Sequence, residues 1–291
     1  MAEEAWGRWG PDDERGALNL IGPEQIRRAA SLVRTGRPVS LAQPISDRLL
    51  VPSHRHKVMH FMGRDGGDYA AGARRPGGFQ FAEDTVVLPL HTGTHIDALC
   101  HAWYGDKLYN GFSGNSVRST SGAGHCGIDK FPPIVTRGVL LDLAGLGGGP
   151  LAPSEIVGRA QVEAALERAG LALEPGDAVL VRTGWLEAQQ PGEQADFNRE
   201  PGLDLEAALF LAEAGVAVVG ADNFAVEVLP FAEGTVFPVH QRLIRDFGIP
   251  LIEGLVLKPL AEAGATAFLF VAAPLPVTGG TGSPLNPVAV L

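Results

Sequence analysis

Three features of the chain predict an α/β fold, a mixed sheet with flanking helices. Short apolar runs alternate with helical segments after residue 138, a glycine follows each of those helices, and apolar residues make up 45% of the chain, enough for a large core. Along the chain, residues 1–19 carry Trp6 and Trp9 without a clear period, which predicts an irregular arm that packs on something. A helix follows over 23–34, with Pro23 at its first position and Gly36 just past its end. A strand is expected over 39–45.

Residues 52–81 are rich in Gly, Arg, His and Met with no sustained periodicity. A loop of that length inside a compact fold is usually functional, so it is read as a lid or pocket wall, with Phe61 as a substrate contact. The run Asp84-Thr-Val-Val-Leu-Pro-Leu reads as a strand leading into the histidines after it, with Pro89 marking a strand end or sheet edge. Further strands are expected at 138–143, 178–182, 216–220, 251–257 and 267–271. Helices are expected at 154–169, 205–214 and 238–247, closed by Gly170, Gly215 and Gly248. The Gly/Pro-rich tail, residues 275–291, reads as an extended strap lying across a neighbouring subunit. Residues 1–291 are expected to form one unit.

Lys and Arg number 23 against 33 Asp and Glu, a net charge of −10. That balance, without a basic stripe, points away from nucleic acid. No run of 18 apolar residues occurs and the first residues are acidic, so no membrane span is expected and a cytoplasmic location is read. Cys100 and Cys126 match no disulfide framework or redox motif and are expected to be reduced.

The chemistry concentrates in His91-Thr-Gly-Thr-His-Ile-Asp-Ala-Leu-Cys-His101, which holds three of the eight histidines. His91, His95 and Asp97 fall at even separations, and an extended backbone turns such positions to one face. Gly93 is expected on that face too, leaving room for an ion. Two imidazoles and a carboxylate suit Zn²⁺, Mn²⁺ or Fe²⁺ better than Ca²⁺. Such an ion lowers the pKa of bound water from about 15.7 toward about 7 and polarises a carbonyl. His101 is a candidate second ligand or proton carrier.

His240 falls in the first turn of the helix begun by Pro238, where the helix dipole favours a neutral imidazole. Glu253 is a carboxylate in the apolar run Pro-Leu-Ile-Glu-Gly-Leu-Val-Leu and needs a partner, which a metal ion or His240 would supply. Asp222 and Asn223 follow a strand's carboxyl end, where α/β sheets bind ligands, although an Asp-Asn turn accounts for them equally well. Glu227 carries a weaker signal. Trp103 and Tyr104, just past the histidines, are candidates for a substrate pocket or for ordinary core packing.

These motifs resemble the cyclase-family metal-dependent hydrolases that include kynurenine formamidase and isatin hydrolase, whose hallmark His-x-Gly-Thr-His-x-Asp-x-x-x-His runs here from His91 to His101. The resemblance continues in Pro-Gly-Asp-Ala-Val-Leu-Val-Arg-Thr-Gly-Trp at 175–185 and in the segment from His240 to Glu253, and the arm and long loop place this chain among longer members. It implies a swivelling β/β/α cyclase-like fold, assembled as a homodimer or homotetramer. It implies Mn²⁺ or Zn²⁺ on His91, His95 and Asp97, with His101, His240 and Glu253 serving catalysis or a second metal. The expected reaction is hydrolysis of a C–N bond in a small amide, cyclic amide or imide. A lactone or ester hydrolase, a metal-dependent cyclase or lyase, and a non-catalytic small-molecule-binding protein remain alternative readings.

Overall fold

The structure, a computed structural model, describes residues 4–189 and 195–291. A nine-stranded mixed sheet forms its centre. Four strands, Ile134–Asp142, Ala178–Arg182, Val218–Ala221 and Leu251–Glu253, lie side by side in parallel. Antiparallel strands extend both edges. Ala267–Ala272, Val288–Val290 and Pro38–Ser40 continue beyond Ile134–Asp142, and His95–Asp97 and Gly282–Pro284 continue beyond Leu251–Glu253.

Burial on both faces explains why the central strands are apolar throughout rather than alternating, as in the buried run Ala178 to Val181. Helices Pro23–Ala30, Arg159–Ala169 and Lys258–Glu262 pack against the strand Ile134–Asp142. Their ends follow local chemistry: Gly170, at φ 64, supplies the left-handed residue that closes Arg159–Ala169, and Asp204 caps Leu205–Glu213 by accepting from Ala207 N. From the strand Ile134–Asp142, Arg137 grips the buried Asp177 with two charge-assisted hydrogen bonds of 2.9 and 2.6 Å.

The expected mixed α/β architecture is therefore present, with differences in detail. The first helix stops at Ala30, the helix expected from 154 begins at Arg159 after the short strand Ile156–Val157, and the strand expected over 251–257 ends at Glu253. Past His240 the helix begun by Pro238 widens into a π-helix, Gln241–Asp246.

Three expectations need correction. The run at Asp84 does not lead straight into the histidines: Glu83–Val87 pairs with Met59–Arg64 in a separate hairpin, and His91 to Thr94 form bends. Because both hairpin strands are exposed on nearly every residue, neither shows the one-sided burial pattern that would have marked a strand in 52–81. The tail, expected as an extended strap, is built into the chain's own sheet: Gly282–Pro284 forms one edge and Val288–Val290 pairs near the opposite edge, with Ala289 in the core. The irregular arm does dock. Trp6 Nε1 donates to the Arg245 carbonyl at 2.8 Å beneath the Arg245 guanidinium.

Candidate metal centre

Register assembles the centre. On the antiparallel edge His95 lies directly opposite Glu253, so their side chains leave the same face, and Asp97, two residues on, joins them. The His95 ring nitrogen Nε2 lies 3.1 Å from Glu253 Oε2 and 3.8 Å from Asp97 Oδ1. His91 enters from the preceding bend, with Nδ1 2.7 Å from Asp97 Oδ1 and Nε2 3.0 Å from Thr281 Oγ1. His101 stacks on the His91 ring at 4.0 Å between centroids and brings Nε2 to 3.9 Å from Asp97 Oδ2. His240 Nε2 completes the group, 3.7 Å from Asp97 Oδ2 and 3.2 Å from Glu253 Oε1.

The glycine that makes room is not the expected one. Gly93 has a φ of 62, and a side chain there would point at Leu49 rather than between the two histidines, so its role is to turn the chain. Gly282 clears the space instead. It stands opposite Asp97, and a Cβ on it would fall 2.6 Å from His91 Cε1.

His240 is held from behind. Glu227 Oε1 sits 2.6 Å from His240 Nδ1, and the same carboxylate accepts from the Val239 and His240 backbone N–H groups at the start of the helix. Val226 and Phe237, beside these two residues, occupy left-handed backbone at φ 58 and 48, a costly conformation for side chains of their shape.

Burial is the largest influence on Asp97, His95, His101 and His240. It favours a neutral Asp97, but His101, His91 and His95 hold that carboxyl far below its usual range. It depresses His240 too, yet hydrogen bonds and charge from Glu227 and Glu253 push that ring up to about 10. His95 is raised in the same sense by Glu253 and Asp97. For His101 burial prevails over the pull of Asp97, and the ring falls to about 4.

The donors fit a divalent cation. His95 Nδ1 meets the Gly93 carbonyl at 2.9 Å and therefore donates, which leaves Nε2 with a lone pair aimed at two carboxylates. His95 Nε2, although 3.1 Å from Glu253 Oε2, and Asp97 Oδ2 are both buried without a well-directed hydrogen bond, an arrangement that positive charge between them would relieve. Ligand atoms about 2.1 Å from a tetrahedral ion stand roughly 3.4 Å apart, within the spread of the separations above. Among the described residues two overlapping groups have this compactness, His91-Asp97-His101 and Asp97-His240-Glu253; they share Asp97, and His95 belongs to neither, meeting the second through Glu253.

The centre opens into a cavity of about 760 Å³. His101, His240 and Glu253 reach its wall, Trp103, Phe197, Phe224, Phe231 and Phe237 give it an aromatic lining, and the start of the long loop, Val51 to Arg55, forms one side. The loop is thus a pocket wall at that end. Other predicted contacts lie elsewhere. Phe61 is on the exposed hairpin, and the Tyr104 hydroxyl donates to Asp246. Asp222 accepts from Thr183 and Gly184, while the Asn223 amide donates to the Pro201 carbonyl and accepts from Val226 N. The last two are buried braces between loops; only the Asn223 bond to Val226 N is the local turn contact that competed with a pocket role, while Asp222 ties its loop to Thr183 and Gly184. Cys100 and Cys126 are free and buried, with burial pushing the Cys100 thiol up to about 12.

Sequence reasoning undervalued Glu227 and missed Glu200, which lines the cavity. Burial pushes the Glu200 carboxyl up to about 8. Glu227 is thirteen residues from His240, outside any local spacing rule; its one sequence signal is an acid following Ala-Val in an apolar stretch.

Comparison with known proteins agrees with this geometry. The family described as "Putative cyclase" matches residues 39–228. Kynurenine formamidase of Bacillus cereus is 26% identical over 204 residues, covering 70% of this chain and 77% of that protein. A crystal structure of a novel cyclase is 39% identical, with a TM-score of 0.92 over 99% of this chain and 97% of its own. Isatin hydrolase A from Ralstonia solanacearum shares the fold at 24% identity, with a TM-score of 0.65 over 87% of this chain and 91% of its own. With most of its length matched and its histidine segment at the sheet edge, this chain belongs to the cyclase family.

Proposed function

We propose that the protein is a metal-dependent hydrolase that cleaves the C–N bond of a small amide, cyclic amide or imide. The observation that carries this reading is that His95 Nε2 and Asp97 Oδ2, both buried without a well-directed hydrogen bond, lie within reach of His240 and Glu253, which line an aromatic cavity. Similarity to a kynurenine formamidase and to isatin hydrolases supports the choice of an amide. His91, His95 and Asp97 are the proposed ligands of a Mn²⁺ or Zn²⁺ ion, and Glu253, His240 and His101 complete its surroundings or hold a second ion.

Bound there, the ion would supply Lewis acidity and acidify water. The remaining work falls to side chains. The aromatic wall packs a flat substrate and excludes bulk water from the reacting bond. His101 and His240, both on the cavity wall, are placed to move a proton toward the leaving nitrogen. Glu227 keeps the His240 ring turned so that Nε2 faces the site.

The test is turnover of N-formylkynurenine, isatin and simple imides by protein supplied with Mn²⁺ or Zn²⁺, with His95→Ala as control and H₂¹⁸O as solvent. One ¹⁸O per product and a loss of at least about 10³-fold in the variant would support the reading. Turnover without label would favour a lyase or cyclase, and equal rates in wild type and variant would remove the metal centre from the reaction.

We further propose that the chain self-associates through the hairpin of Met59–Arg64 and Glu83–Val87. Its strands pair with each other alone, and Met59, Phe61, Met62, Val86 and Val87 are exposed on it. A lone two-stranded ribbon is at best marginally stable in water.

A further inference from the structure

Glu200 stands just before the strand Gly202–Leu203 and lines the cavity beside Phe197 and Phe224, yet the residue is only 1% exposed. One of its carboxyl oxygens is fully engaged: Oε2 accepts from the backbone N–H of Phe224 at 2.8 Å and of Ala225 at 3.2 Å. The other, Oε1, has no protein hydrogen-bond partner among the described residues, and no ion pair among them includes Glu200.

A buried carboxylate without a cation is strongly disfavoured, so the neutral acid is the stable form. Its hydrogen belongs on Oε1, because Oε2 already receives two N–H groups. The surroundings agree. Burial pushes the carboxyl up to about 8; the charges of Glu253 and Asp222 add to that, and the two backbone N–H groups oppose it. The other titratable groups facing the cavity, His54, Arg55, His101 and His240, make no hydrogen bond or ion pair with Glu200.

We infer that Glu200 is a specificity residue, a hydrogen-bond donor on the cavity wall that reads a second acceptor oxygen of the substrate, apart from the bond that is cleaved. The acceptor is a neutral carbonyl rather than a carboxylate, since Glu253 and Asp222 repel an anion at that end. The ring carrying it would lie against Phe197 and Phe224. This inference rests on the amide-hydrolase reading for its ligand class, but its test reads binding and not turnover.

The probes are isatin and 2-oxindole, two lactams that differ by one ketone oxygen. Binding to the metal-loaded protein is followed by stopped-flow quenching of tryptophan fluorescence, before any turnover. Wild type at pH 6.5 should bind isatin about tenfold more tightly than oxindole, the value of one well-made hydrogen bond, and this preference should shrink above about pH 8 as the donor ionises. Glu200→Gln keeps a donor at every pH, so its preference should persist unchanged across the range. Glu200→Leu should lose it.

If Glu200→Leu fails to fold, the comparison of wild type with Glu200→Gln across pH still decides. A preference retained by Glu200→Leu, a pH dependence identical in wild type and Glu200→Gln, no preference in wild type, or no binding of either lactam would each overturn the assignment. Normal binding selectivity without hydrolysis would leave the assignment standing and would instead count against the hydrolase.

Discussion

Glu227 Oε1 lies 2.6 Å from Nδ1 of His240, so the ring donates backwards and presents Nε2 to Asp97 and Glu253. A carboxylate behind a histidine fixes both its tautomer and its rotation. Glu227→Ala should therefore lower metal affinity or kcat by about 10- to 100-fold while leaving KM nearly unchanged. Chelator competition and steady-state kinetics measure the two effects, and an unaltered variant would mean that packing alone positions His240.

Glu200 should also leave a trace in stability. Its folded-state pKa of about 8 lies above its ordinary value of 4.5, so the folded protein binds this proton more tightly than the unfolded chain does. The contribution is full below pH 4.5 and is lost as pH rises toward 8. Wild type should therefore weaken relative to Glu200→Gln between pH 5 and pH 8, by an amount on the order of a few kcal/mol. Asp222, pushed up to about 6 by burial, weakens both proteins in the lower part of that window, so the difference between them is the quantity to read. Denaturant midpoints that move in parallel would refute the neutral acid.

The hairpin makes a prediction about size. Light scattering should find a dimer or tetramer, and Met59→Asp with Phe61→Asp, two exposed residues on one face of the strand, should shift it toward the monomer, because each charge would have to be buried in the contact. These residues touch neither the cavity nor the metal centre, so a monomeric wild type would remove the proposed contact without affecting the site.

Much of this arrangement was legible in the sequence because it is local. The even spacing of His95 and Asp97 places them on one face, and the acid of the Leu251–Glu253 strand needed a partner, which proved to be His95 directly across the sheet. The glycines after the helices marked real helix ends, Gly170 among them. What stayed hidden depends on long-range register. Gly282, rather than Gly93, clears the space beside His91 because it pairs with Asp97 across 185 residues of chain, and no local spacing encodes that. The tail looked like a strap since Gly and Pro obscure its two short strands, each of which becomes a strand only by joining an existing edge. Glu200 and Glu227 look like surface acids in sequence, and only the fold buries them.

The central claim is that the buried nitrogen of His95 and the buried oxygen of Asp97 face each other across a cation. Elemental analysis of the purified protein after dialysis tests it most directly. Wild type should retain at least about one divalent transition-metal ion per chain. Asp97→Asn, which removes the charge shared by both ligand groups while keeping the side chain's shape, should retain almost none. A folded wild-type protein that holds no metal after incubation with Mn²⁺ or Zn²⁺, or an Asp97→Asn variant that holds as much as wild type, would contradict the account.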